Sequence, residues 1–202
     1  MAEAETLSAK EKEPVKELEN IQKSCQEVYD RLNELQKNNN RIVLNQSRQN
    51  LAEVIQSAVE ENKAMMEKEG CQILYEKPLK KAEVFLDPGY MKEVFRNIFW
   101  NAMEAMEESR REKKVFVELK IYDEEVEIII KDTGPGLSES ISNRLFNPFV
   151  STKSTKQNWG IGLSFCRRII ISHRGRITAE NGELGAEFHI YLPLIGEVSD
   201  GK

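Results

Sequence analysis

Apolar residues recur at alternating spacings of three and four from Leu18 through Ile21, Cys25, Val28, Leu32 and Leu35. Glu, Lys, Gln and Arg fill the positions between, so the segment reads as a helix with one narrow seam. A stripe that narrow must be covered, and pairing with another helix is the expectation, ahead of a helix lying on its own globular domain. Asn38, Asn39 and Asn40 interrupt the repeat before Ile42. Residues 1–14, rich in Glu and Lys up to Pro14, read as a flexible N-terminus, and residues 15–47 as the helical dimerisation segment.

A second stripe, Leu51, Val54, Ile55, Ala58, Val59, Met65 and Met66, predicts another helix with Gly70 as its stop signal. Beyond it the period changes. Strands are expected at 72–75, 84–86, 115–122, 126–131, 176–180 and 188–192, and helices at 89–107 and 162–172. The two strands flanking Asp123 and Glu124 are close enough in sequence to form a hairpin. Hairpin strands with interspersed helices argue for an α+β fold, a two-layer α/β sandwich with a mainly antiparallel sheet under a helix layer, preceded by a long helix. Residues 48–195 would form that domain and 196–202 a flexible tail.

At 202 residues the chain suits one domain with a full core plus a smaller appendage. A net charge of −5 with 31% charged residues gives no sign of general nucleic-acid affinity. No apolar run reaches the roughly 20 residues of a membrane helix, and Met-Ala-Glu-Ala-Glu is no signal peptide, so a cytoplasmic location is expected. Cys25, Cys71 and Cys166 are widely spaced, without metal-ligand spacing, and read as buried reduced thiols.

The candidate chemistry lies in three places. The apolar run Val126 to Ile130 leads to Asp132, followed by Thr133, Gly134, Pro135, Gly136 and Leu137, which puts one carboxylate at a strand end beside a sharp turn. Gly160, Ile161, Gly162 and Leu163 open an apolar-periodic helix whose first N–H groups are free to bind phosphate. Asn97 and Asn101 lie one turn apart beside the core stripe of the 89–107 helix. A neutral amide oxygen suits Mg²⁺ already partly neutralised by phosphates.

The order of these segments along the chain, with Leu-Phe-Asn-Pro-Phe-Val-Ser-Thr-Lys at 145–153 between the Asp132 turn and Gly160, resembles the catalytic domain of sensor histidine kinases and its N, G1, F and G2 boxes. The resemblance covers roughly residues 48–193. It implies a Bergerat-type ATP pocket of the GHKL superfamily, shared with gyrase B, MutL and Hsp90, with ATP and Mg²⁺ as ligands. By that resemblance Asp132 accepts from the adenine amino group, Asn101 binds Mg²⁺ and Asn97 supports the phosphate side. Gly134 and Gly136 shape the base pocket, while Gly160, Ile161, Gly162 and Leu163 lie against the phosphates. Residues 147–158 become a mobile lid hinged at Phe146 and Phe149, with Lys153 as the phosphate contact and Lys156 nearby.

ATP-hydrolysing relatives carry a glutamate four residues before the metal-binding Asn, where this chain has Asn97. Glu93 and Glu104 do not occupy that place and read as surface charges. The resemblance therefore favours phosphoryl transfer to a histidine over hydrolysis, by positioning and electrostatics. His173 and His189 both read as structural, so no phosphoacceptor and no catalytic residue is assignable. Residues 15–44 resemble the second helix of the family's dimerisation bundle. The implied partners are a phosphoacceptor histidine helix or bundle domain, a response-regulator receiver domain and a second copy of the chain, with no membrane segment here. The location is then the cytosolic part of a larger sensor, and the chain alone is not competent for autophosphorylation. Asn158 stands where the G2 box usually has glycine and Ala186 where a threonine is usual, changes consistent with modestly weakened affinity. The alternative is a regulatory module in which ATP changes affinity for a partner, as in anti-sigma factors.

Overall fold

A computed structural model describes residues 42–107, 109, 111–138, 144–150 and 160–195, together with Ile21, Lys23, Ser24, Cys25 and Val28. The chain divides into two compact units, Met1–Val43 and Leu44–Lys202. In the first, those five residues are helical, and Ile21 and Val28 are 56% and 58% exposed. Leu18, Leu32 and Leu35 lie outside the described residues, as do residues 1–14, 151–159 and 196–202.

The second unit opens with β1 (Ser47–Asn50), which pairs antiparallel with β3 (Glu83–Leu86) in a small separate sheet. β1 was not expected, because Ser-Arg-Gln-Asn carries no apolar alternation; it is held by backbone pairing and an Arg48–Glu83 ion pair. Asn50 then caps α1 (Leu51–Lys68): its side-chain oxygen accepts from the Ala52 and Ala82 N–H groups. Leu51, Ile55, Ala58 and Met66 on the expected stripe are buried, whereas Met65 is half-buried. Gly70 ends the helix turn at φ +70°.

α2 (Pro88–Ala105) starts on Asp87, whose carboxylate accepts from the Tyr90 N–H, with proline at the first helical position. α3 (Gly162–Ser172) is the third helix. These helices cover a five-stranded sheet in the order β2 (Cys71–Tyr75), β4 (Lys113–Ile121), β5 (Glu125–Asp132), β7 (Ala186–Pro193), β6 (Arg176–Asn181). The expected hairpin is β4–β5, in register from Val115 opposite Asp132 to Ile121 opposite Val126. All pairs are antiparallel except β2 with β4.

Side-chain alternation sorts the sheet into two faces. Val126, Ile128 and Ile130 of β5 lie level with Leu192, Ile190 and Phe188 of β7, all buried, and Asp132 ends the same row. Glu127, Ile129 and Lys131 point the other way, beside Tyr191, His189 and Glu187. Cys71 and Cys166 are buried free thiols as expected, with burial pushing Cys166 up to about 12, while Cys25 is only half-buried.

His173 joins two helices and is structural, as expected. Its Nδ1 donates to the Ile169 carbonyl at 2.8 Å, so Nε2 is the acceptor for the Asp87 N–H at 2.9 Å, and the ring is 2% exposed. Burial lowers its pKa, with the Ile169 bond and Asp87 opposing. The unfolded chain therefore binds more protons just below the ordinary histidine value, and stability present above about pH 6.5 falls as pH drops below it. Thermal melts from pH 8 to pH 5 should show that fall, and His173→Gln should flatten it and lower Tm at pH 8.

Candidate functional site

Asn97, Asn101 and Ala105 stand on successive turns of α2 and form one edge of a cleft, because positions four apart share a helix face. Asn97 spends its Nδ2 on the Glu93 carbonyl at 2.8 Å. Asn101 is half-buried, and its amide makes no hydrogen bond to a described residue.

The N-terminus of α3 meets this edge. A Cβ on Gly162 would lie 2.8 Å from Asn97 Oδ1 and 4.0 Å from Asn101 Nδ2, so a bare backbone lets the helix start approach both amides. Ile161 caps α3 without a side-chain hydrogen bond, which leaves the N–H groups of Gly162, Leu163 and Ser164 directed out of the helix end. A helix N-terminus with no cap of its own attracts anions through those N–H groups and the helix dipole.

The loop after β5 meets the same edge one turn further along. Gly134 packs where a Cβ would be 3.7 Å from the Ala105 Cβ and 3.3 Å from Met106 Cγ. Asp132 is 3% exposed, and its Oδ1 accepts from the Gly134 N–H at 2.8 Å and the Ala186 N–H at 3.2 Å. Oδ2 accepts from none of the described residues, so one carboxylate oxygen is anchored and the other is available. Burial raises the Asp132 carboxyl above its ordinary value against the pull of those two donors. Such a desolvated carboxylate gains from one more donor.

Asp132, Gly134, Asn97, Asn101, Ile161, Gly162 and Leu163 thus converge on one groove. Gly136 holds the outer part of the loop at φ +83°, against Asn181. Gly160, at φ +65°, accepts from the Phe149 N–H at 3.0 Å, so the two ends of the expected lid are tied together. Phe149 itself has φ +63°. Lys153, Lys156 and Asn158 lie outside the described residues. Glu93 is ion-paired with Arg96, and Glu104 accepts from Trp100 Nε1 at 2.6 Å.

Three contributors were not singled out as site residues from the sequence. Thr133 Oγ1 donates to the Glu112 carbonyl at 2.6 Å and accepts from the Lys114 N–H at 3.0 Å, fixing the loop to β4. Asn181 grips Leu137 through both amide atoms, at 2.6 and 3.0 Å. Gly185 floors the pocket: a Cβ there would fall 2.5 Å from Asp132 Oδ1, 2.6 Å from the Asp132 carbonyl oxygen and 2.8 Å from the Gly134 nitrogen. The Gly185-Ala186 pair was the available signal. Gly185→Ala should force the backbone apart and cost about 2 kcal/mol, roughly 4–8 °C in Tm, which a thermal melt reads directly. The Ala186 contact with Asp132 is made by backbone, so alanine in place of threonine leaves it intact.

Residues 86–196 match the family described as histidine kinase-, DNA gyrase B-, and HSP90-like ATPases. The sensor protein FixL of Bradyrhizobium diazoefficiens is 38% identical over 115 residues, which is 56% of this chain and 22% of that protein. The catalytic domain of histidine kinase ThkA matches with a TM-score of 0.65 at 30% identity, over 74% of this chain and 96% of that one. Histidine kinase ThkA in complex with response regulator protein TrrA matches with a TM-score of 0.66 at 25% identity, over 87% of this chain and 50% of that chain. The chain thus spans about a fifth of FixL and nearly the whole ThkA catalytic domain. With the match covering residues 86–196, the chain belongs to the histidine kinase-, DNA gyrase B- and HSP90-like ATPase family, as an ATP-binding catalytic domain of the sensor histidine kinase type.

Proposed function

We propose that this chain binds ATP with Mg²⁺ in the groove between α2, α3 and the loop after β5, and transfers the γ-phosphoryl group to a histidine carried on another helix or bundle domain. The observation that carries the reading is the convergence of a half-anchored buried carboxylate and an uncapped helix N-terminus on the Asn97–Asn101 edge. Asp132 Oδ2 accepts from the adenine amino group, and Gly134, Gly136 and Gly185 leave room for the ring. The α3 N–H groups and Lys153 hold the phosphates, and Asn97 steadies that side. Asn101, an amide with no partner among the described residues, offers an oxygen of the kind Mg²⁺ accepts. Mg²⁺ held there would supply positive charge to offset that of the phosphates.

Asn97 stands where a water-activating carboxylate would be, so that position supplies no base, and catalysis comes from holding the phosphoryl group in line with its acceptor. The names of FixL and ThkA favour this reading over an ATP-dependent regulatory module. The ThkA–TrrA complex supports a response-regulator receiver domain as the next acceptor. Residues 48–195 are proposed as the ATP-binding domain, 15–47 as the dimerisation segment, 1–14 and 196–202 as flexible ends, and the cytoplasm as the location; residues 42–46 are not helical and Ser47 opens β1, so the dimerising helix of that segment does not extend to its end. None of the described helices is long and apolar enough to cross a membrane. Exposed Ile21 and Val28 support a homodimer, which a concentration-independent monomer mass in sedimentation would rule out.

The test mixes this chain with γ-labelled ATP, Mg²⁺ and a separately expressed histidine-bearing bundle domain from a similar kinase. Acid-labile, base-stable label on the bundle is expected. Nucleotide binding with rapid phosphate release and no labelled protein would overturn the transfer reading.

A further inference from the structure

On the sheet face away from the helices, a polar cluster takes no part in the nucleotide groove. Glu127 is buried there and receives three hydrogen bonds: from Tyr122 Oη at 2.7 Å, Tyr191 Oη at 2.8 Å and His189 Nδ1 at 2.8 Å. A carboxylate only accepts, so Nδ1 of His189 carries a proton, and Nε2 offers a lone pair whenever the ring is neutral. The His189 side chain is 12% exposed, and Nε2 is buried and makes no hydrogen bond. Facing it are Glu180 Oε1 at 3.4 Å and Glu187 Oε2 at 3.8 Å. With the ring neutral, three acceptor atoms point at one another, an arrangement that a proton on Nε2 or a metal ion would relieve.

Of the basic groups on this face, Lys120 lies exposed opposite Glu127, Lys131 lies across from Glu187, and two are held by carboxylates outside the cluster. Arg176 forms two hydrogen bonds to Glu125 and stacks 3.7 Å over the Tyr191 ring, and Lys131 bonds Glu118 at 2.8 Å. The three acceptor atoms all lie within 4.8 Å of one another. In a tetrahedral zinc site, metal–ligand bonds of about 2.0–2.2 Å put neighbouring donors roughly 3.3–3.6 Å apart. Two edges of the cluster are already near that spacing, and the third closes by rotation of Glu180, whose side chain is 71% exposed.

We propose that His189 Nε2, Glu187 and Glu180 bind a borderline divalent transition-metal ion, Zn²⁺ by preference, with water completing the shell. One imidazole nitrogen and two carboxylate oxygens suit Zn²⁺ better than Mg²⁺. Glu127 orients the ring from behind, as carboxylates do behind metal-bound histidines. The ion would staple β6 to β7 across the turn that leads into Gly185 and Ala186, whose backbone supports Asp132.

The test is calorimetric titration of the whole chain with Zn²⁺ in the absence of nucleotide, in a Cys25→Ser background to remove a half-exposed thiol. One site per chain is expected, weakened at least about tenfold by His189→Gln and by Glu180→Gln. Glu180 is exposed enough that its substitution leaves the fold intact, and circular dichroism checks the histidine variant. Glu127→Gln should weaken binding by about tenfold through the ring orientation. No Zn²⁺ binding, or an affinity unchanged by Glu180→Gln and His189→Gln, would overturn the proposal.

Discussion

Asp132→Asn is expected to weaken ATP binding about a hundredfold while leaving the fold intact. Asn keeps an oxygen at the Oδ1 position, where the Gly134 and Ala186 N–H groups converge, so the anchoring of the loop survives. The change falls on the other atom. An amide NH2 replaces Oδ2, and it would meet the adenine amino group donor to donor. Loss of a charge-assisted hydrogen bond, with two donors left facing each other at a buried site, amounts to about 3 kcal/mol, or roughly a hundredfold in Kd. Calorimetric titration with Mg²⁺–ATP, beside thermal melts of both proteins, separates lost binding from lost folding. A variant that melts with the wild type and binds ATP equally well would remove Asp132 from the base pocket.

Asn101→Ala should produce a different pattern, with transfer falling more than binding. In the proposed binding mode adenine and the α3 N–H groups still hold the nucleotide, so Kd is expected to change less than about tenfold. Phosphoryl transfer to a supplied histidine domain should fall about 10²- to 10³-fold, the scale seen when one electrostatic contact to developing charge is removed. Gly162 makes the residue a fair probe, because it sets the helix end close to the Asn97–Asn101 edge without using the Asn101 amide itself. Equal losses in binding and transfer would assign Asn101 to ground-state nucleotide contacts alone.

The parts of this site legible in the sequence are those whose causes are local. A carboxylate at the end of an apolar strand, glycines that allow a sharp turn, and an apolar period starting at a glycine all show in short windows, and Gly162 and the Asp132–Gly134 turn lie along the same edge of α2. β1 was invisible because its pairing to β3 uses backbone groups and its side chains are polar. Gly185 was missed as a site residue because its constraint comes from Asp132 and Gly134, about 50 positions earlier, and exists only once β5 and β7 are side by side. The parallel pairing of β2 with β4 depends in the same way on long-range assembly. His189 read correctly as a strand residue, but Glu127 and Glu180 reach it only through the register of three strands.

The most direct measurement of the nucleotide site is a parallel titration with Mg²⁺–ATP and Mg²⁺–inosine triphosphate. The two ligands share ribose and phosphates, and differ at the position where adenine carries the amino group proposed to face Asp132. ATP should bind, and inosine triphosphate should bind about a hundredfold more weakly, because a carbonyl oxygen would face the Asp132 carboxylate in place of a donor. Equal affinities, or no binding of ATP, would contradict the assignment of Asp132 and the groove beside it to adenine.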